Sequence, residues 1–165
     1  MQVDWKSYST LDRAIVGGAA IVLIALFLPW WGADVGGFGF SVDGWSAGFT
    51  AWAGGLLLGT AGVLLVLRRS GAALNFGNVG PALLVAAVAA LGLLLVIIRW
   101  SSLPRYRGVD VGARYGIYIA LLAGIVEAAA AFMELRASGE QVFWTQTQTQ
   151  RDTEPKPETP AAPEE

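Results

Sequence analysis

Residues 116–135 read GIYIALLAGIVEAAAAFMEL, with one acid, Glu127, near the middle and a second, Glu134, at the end. Crossing about 30 Å of hydrocarbon takes roughly 17–25 apolar residues in a helix. A soluble amphipathic helix of this length would carry a polar stripe with a period of 3.6 residues. This segment has none. Three further runs, 14–31, 49–67 and 81–98, are equally apolar and equally free of such a stripe. The chain is therefore expected to be an all-α membrane protein, an antiparallel bundle of four transmembrane helices over residues 1–136.

Composition supports the same solvent. Of 165 residues, 55% are hydrophobic and 15% charged, against about 45–50% and about 25% in soluble domains. Mean hydropathy is +0.53. Residues 1–136 hold nine Lys and Arg against seven Asp and Glu, so the membrane part is mildly basic although the whole chain is at -2. Cys and His are both absent. Disulfides, thiolate or imidazole metal sites and a histidine general base are thereby excluded. The charge pattern is unlike a nucleic-acid footprint. After residue 136 the composition changes to TQTQTQRDTEPKPETPAAPEE (145–165), polar, proline-rich and acidic. Residues 137–165 are read as a disordered cytoplasmic tail, because such a segment has too little apolar surface to bury.

Ser9 and Asp12 have the spacing of a capping box and mark a helix start before the first span. That span runs on through Pro29, Trp30 and Trp31 without a small-residue cleavage site, so it is read as retained. Orientation follows the Lys and Arg near span ends. Lys6, Arg13, Arg68, Arg69, Arg136 and Arg151 fall on the side of the N-terminus, and Arg99, Arg105, Arg107 and Arg114 on the other. The early helices favour N-in/C-in. Loop 1 carries Asp34 and Asp43 without a base; loop 3 carries Arg105, Arg107 and Arg114. Two readings stand for these outer loops. One is an extracellular cap in which they pair, with a small β-ribbon suggested by the alternation of Phe38, Phe40 and Val42 and of Val109 and Val111. The other is a pair of flexible glycine-rich loops. Trp30, Trp31, Trp45, Trp52 and Trp100 gather with Tyr106, Tyr115 and Tyr118 near this outer interface, as a membrane aromatic belt or as a docking face.

In lipid, helices associate through small residues. Gly55, Gly59 and Gly62 form such a face in span 2, and Ala82, Ala86 and Ala90 one in span 3. In span 4 the ridge is Ala120, Gly124 and Ala128. Glu127 shares that side of its helix. A charge at mid-bilayer costs on the order of 2.5–3.5 kcal/mol and normally faces a protein interior or water. No span holds a mid-membrane Lys or Arg, so a neutral Glu127 is expected, donating a hydrogen bond to Thr60 or to a backbone carbonyl.

No catalytic set, P-loop or dinucleotide fingerprint is present, and no cofactor or metal is expected. The stretches LPWWGADVGGFGFSVDGWSAGFTAWAGG and RYGIYIALLAG, with the Pro/Glu/Gln/Thr-rich tail, resemble small four-span membrane proteins frequent in high-GC actinobacteria. That resemblance implies the four-span layout and no particular activity. The tryptophan-bearing, β-like first loop is also architecturally similar to claudins, without their paired loop cysteines or Gly-Leu-Trp motif. The expected role is a non-catalytic plasma-membrane accessory or scaffold subunit that contacts lipid and other membrane proteins or copies of itself. The alternative is a small oligomeric transporter or ion/proton pathway built on Glu127.

Overall fold

The structure, a computed structural model, describes residues 8–72, 79–104 and 109–139. The predicted tail beyond residue 139, with Lys6, Arg105, Tyr106 and Arg107, lies outside these residues; the first two positions of that predicted tail, 137 and 138, are the last residues of α4 and not disordered chain. The elements run α1 (Thr10–Ala25), β1 (Pro29–Val35), β2 (Phe38–Asp43), α2 (Phe49–Arg69), α3 (Pro81–Ser101), β3 (Asp110–Ala113) and α4 (Tyr115–Ser138). The fold is mostly helical, with one small sheet. Three of the helices, α2, α3 and α4, are long and apolar enough to cross a membrane.

The first span departs from its predicted bounds. α1 starts at Thr10 on the expected capping box, with the Asp12 amide donating to Ser9 Oγ at 3.1 Å and the Ser9 amide donating to Asp12 Oδ2 at 2.9 Å. It ends at Ala25, not at residue 31. Pro29 explains the early stop. Its ring disfavours helical geometry at the preceding residue and its nitrogen has no hydrogen to donate. Sixteen residues give α1 a length of about 24 Å, short of the roughly 30 Å of a hydrocarbon core.

Beyond α1 the chain enters a three-stranded sheet in the order β2-β1-β3. β1 and β2 form a hairpin closed at Val35↔Phe38 around Gly36 and Gly37, both at positive φ (57° and 87°). Two consecutive positive φ values define the type I′ turn, whose twist suits a two-residue hairpin. β3 pairs with the other edge of β1 from Trp31↔Ala113 to Asp34↔Asp110. Strands from loops 1 and 3 thus form one three-stranded sheet, as the β-ribbon reading expects. The sheet comes after α1 and α3 and before α2 and α4, so the helices alternate in direction beneath it.

Each helix packs on two others, α1 on α2 and α4, α3 on α2 and α4. Glycines set the approach. A Cβ on Gly55 would lie 2.7 Å from the Leu26 side chain, on Gly59 2.8 Å from Leu23, and on Gly62 2.5 Å from Ala19 Cβ. The predicted glycine face of α2 therefore receives α1. Between α2 and α3 the contact is reciprocal: a Cβ on Gly54 would meet the Gly92 carbonyl at 2.9 Å, and one on Gly92 the Gly54 carbonyl at 2.9 Å. Sequence reading missed this pair. It also misplaced the face of α3, which buries Ala82, Val85, Ala89, Gly92 and Val96 while Ala90 is exposed. Steps of three and four, not a strict four, keep that stripe on one side. On α4, Ala120 and Gly124 are buried and Ala128 is half-buried against the core.

Gly54→Ala and Gly92→Ala are each expected to destabilise the protein by about 1–3 kcal/mol, because rigid backbone stands where the methyl must go. Gly17, with nothing within 4 Å of its Cβ position, should tolerate alanine without loss. Thermal unfolding in detergent reads all three.

Candidate functional site

Three polar features occupy three levels of the molecule. At the sheet end, Arg114 Nη2 donates to Asp34 Oδ2 at 3.1 Å, joining the residue after β3 to β1. The predicted pairing of the two loops is present here. Both side chains are largely exposed, so the pair is worth about 0–1 kcal/mol. Asp43 instead accepts from the Ser46 amide at 2.8 Å and caps the turn into α2. Arg105 and Arg107 lie outside the described residues.

The aromatic residues at this end divide into two groups. Trp30 was assigned to the outer face by sequence, but it is fully buried. Its Nε1 donates to the Ala25 carbonyl at 2.7 Å, and its own carbonyl accepts from the Arg114 amide at 2.9 Å. A surface belt would not need such partners; a buried indole N–H does. The others sit further out in edge-to-face pairs, Trp31 with Phe40, Phe27 with Trp45 and Phe49 with Trp52. Phe38, Phe49, Trp100, Tyr115 and Tyr118 are exposed.

The opposite end, here termed basal, holds a charge cluster that sequence reading did not assemble. Arg69 Nη2 bridges Asp12 Oδ1 at 2.8 Å and Glu134 Oε1 at 2.9 Å, and Arg68 Nη1 reaches Glu134 Oε1 at 3.4 Å. The start of α1 and the ends of α2 and α4 are tied together. Asp12 is 1% exposed. Burial opposes its ionisation, yet the hydrogen bonds from Arg69 and Ser9 together outweigh it and hold the carboxyl below its ordinary value. The available signal was the coincidence of a capping-box acid at the start of α1 with paired arginines at the end of α2.

Between these levels lies Glu127, fully buried on α4. A Cβ on Gly18 would stand 2.8 Å from Glu127 Cβ and 3.1 Å from the Ala123 carbonyl. Gly18 is thus the place on α1 where the stem of the glutamate fits. Among the described residues, neither Glu127 oxygen has a hydrogen-bond partner. The predicted partner is not used: Thr60 is exposed, and its hydroxyl donates to the Leu56 carbonyl of its own helix at 2.7 Å. Equal depth in two spans brought no contact, because depth alone leaves the facing direction open. Beside Gly18, α1 and α4 leave an apolar groove of about 420 Å³, with Arg13 at one end and Gly17, Gly18, Leu122, Ala123 and Val126 along it.

No family model, curated protein or solved structure matches the chain. The functional reading therefore rests on geometry.

Asp12 gives a pH signature with a fixed sign. Its carboxyl is lowered in the folded state, so its contribution is complete above the unfolded value of about 3.9 and is lost as pH falls through the lower folded value. The melting temperature is expected to fall on acidification below about pH 4, and Asp12→Asn to remove that part of the slope. Arg69→Met should cost about 1–3 kcal/mol at neutral pH, since it strands a buried acceptor.

Proposed function

We propose that this chain is a non-catalytic integral membrane protein of the plasma membrane, a four-helix antiparallel bundle acting as an accessory or scaffold subunit. Its partner is another membrane protein or a second copy, engaged through the sheet end. The observation that carries this reading is the aromatic surface on the sheet and its flanks: Phe38 is 83% exposed, Phe49 66%, Phe40 49% and Trp45 39%. These side chains stand on and beside strands held at both edges of β1, a platform with little ordering left to do on binding. Exposed aromatics on such a platform are the residue types that anchor protein interfaces.

Charge supports an N-in/C-in orientation. Arg13, Arg68, Arg69 and Arg136 mark the basal end, against Arg99 and Arg114 among the described residues of the sheet end. The excess favours the basal end in the cytoplasm. α1, shorter than the bilayer core, is accommodated by local thinning or by tilt of its neighbours.

Purification in mild detergent after crosslinking tests the role. A stable partner or oligomer is expected, and Phe38→Ser is expected to reduce its recovery at least about tenfold without lowering the melting temperature. Recovery of the lone protein under all conditions refutes the proposal.

A further inference from the structure

Glu127 is a carboxyl built into the interior with no protein group assigned to it. Its stem occupies the space that Gly18 leaves, and both oxygens are without a hydrogen-bond partner among the described residues. The charged groups on the elements packed around it all sit at helix ends: Asp12 and Arg13 on α1, Arg68 and Arg69 on α2, Arg99 on α3, and Glu134 and Arg136 on α4. Among the described residues no cation is therefore placed to neutralise an ionised Glu127. Metal binding fits poorly. Hard cations such as Ca²⁺ and Mg²⁺ take about six or more oxygen ligands, and among the described residues no group of three His, Cys, Asp or Glu could hold a metal ion. The ligand that a lone carboxyl can take by itself is a proton.

Glu127 stands near the middle of α4, about 18 Å from Tyr115 and about 16 Å from Ser138. The nearest charged group on its own helix is Glu134, two turns away on the same side and about 10 Å along the axis. Glu134 belongs to the basal cluster, where it and Asp12 accept hydrogen bonds from Arg68 and Arg69. The groove between α1 and α4 is lined by Gly18, which faces the glutamate stem, and by Ala123. An apolar reagent can occupy this groove beside Gly18, while Glu127 itself is buried.

We propose that Glu127 is a proton-binding site in the membrane interior, neutral at rest, which exchanges its proton with water at the basal end of the molecule. The inference rests on the membrane reading of the helices and is independent of the scaffold role. Failure to find a partner leaves it intact.

The test uses a hydrophobic carbodiimide on the full-length wild-type protein in phospholipid vesicles, with peptide mass spectrometry. A neutral carboxyl adds its O–H across one C=N bond of the reagent, and the acyl group then shifts to nitrogen. The product keeps the whole reagent mass and releases nothing. Modification is expected at Glu127 and to fall at least roughly tenfold as the pH is raised, with Glu134, paired to Arg68 and Arg69, as the reference carboxyl. In vesicles of uniform orientation, only the pH on the basal side should govern the yield. No modification of Glu127 at any pH, although the detergent-unfolded protein reacts there, would overturn the proposal. A yield that ignores pH, or one that follows the sheet side, would do so equally.

Discussion

The sheet end of this molecule depends on one requirement: the buried indole N–H of Trp30 and the Leu26 carbonyl beyond the end of α1 must find partners away from water. Trp30 turns inward and donates its indole N–H to Ala25, and the Gly44 amide donates to Leu26 at 2.9 Å. Gly44 must be glycine for this, since a Cβ there would lie 2.7 Å from Trp30 Nε1. With the indole fixed, the Trp30 carbonyl takes the Arg114 amide, which brings β3 alongside β1. One buried tryptophan thus links the end of the shortest helix to both neighbouring loops.

Glycine sets the spacing below, and charge sets it at the base. α1 lies on the Gly55, Gly59 and Gly62 face of α2, and α3 crosses α2 where Gly54 and Gly92 face each other's carbonyls. Dispersion, not hydrophobic exclusion, rewards such close contact in hydrocarbon. At the base, Arg69 reaches acids from two different helices. Buried Asp12 serves twice there, as the reciprocal member of the cap on α1 and as the anion for Arg69.

Sequence reading recovers the elements whose cause is local. The capping box, the three long apolar helices, the alternating strands and the glycine face of α2 are all written in neighbouring residues. It fails where the deciding contact is distant. Residues 26–31 read as membrane helix because they are apolar; Pro29 marks the break in the sequence, but the course of the chain beyond it is fixed by the buried hydrogen bonds of Trp30. Thr60 and Glu127 share a depth, but the rotation of α2 points the threonine outward. The Asp12–Arg69 contact spans 57 residues, and no short-range pattern announces it. Of the candidate site, the anomaly of Glu127 was legible; its companion Gly18 was not, because a glycine in a glycine-rich span has no distinguishing mark.

The pairing of β1 with β3 and the packing of α1 on α4 also bear on how the chain is made. The first hairpin, α1 to α2, contains every residue of the β1–β2 turn and can form it before β3 is synthesised. Its free β1 edge then waits for a strand synthesised some eighty residues later. Until α4 arrives, the groove on α1 around Gly18 and the edge of β1 are both open. The nascent half-molecule therefore displays a template for its own second half, and crowded synthesis of many copies would set intramolecular closure in competition with exchange of second hairpins between chains.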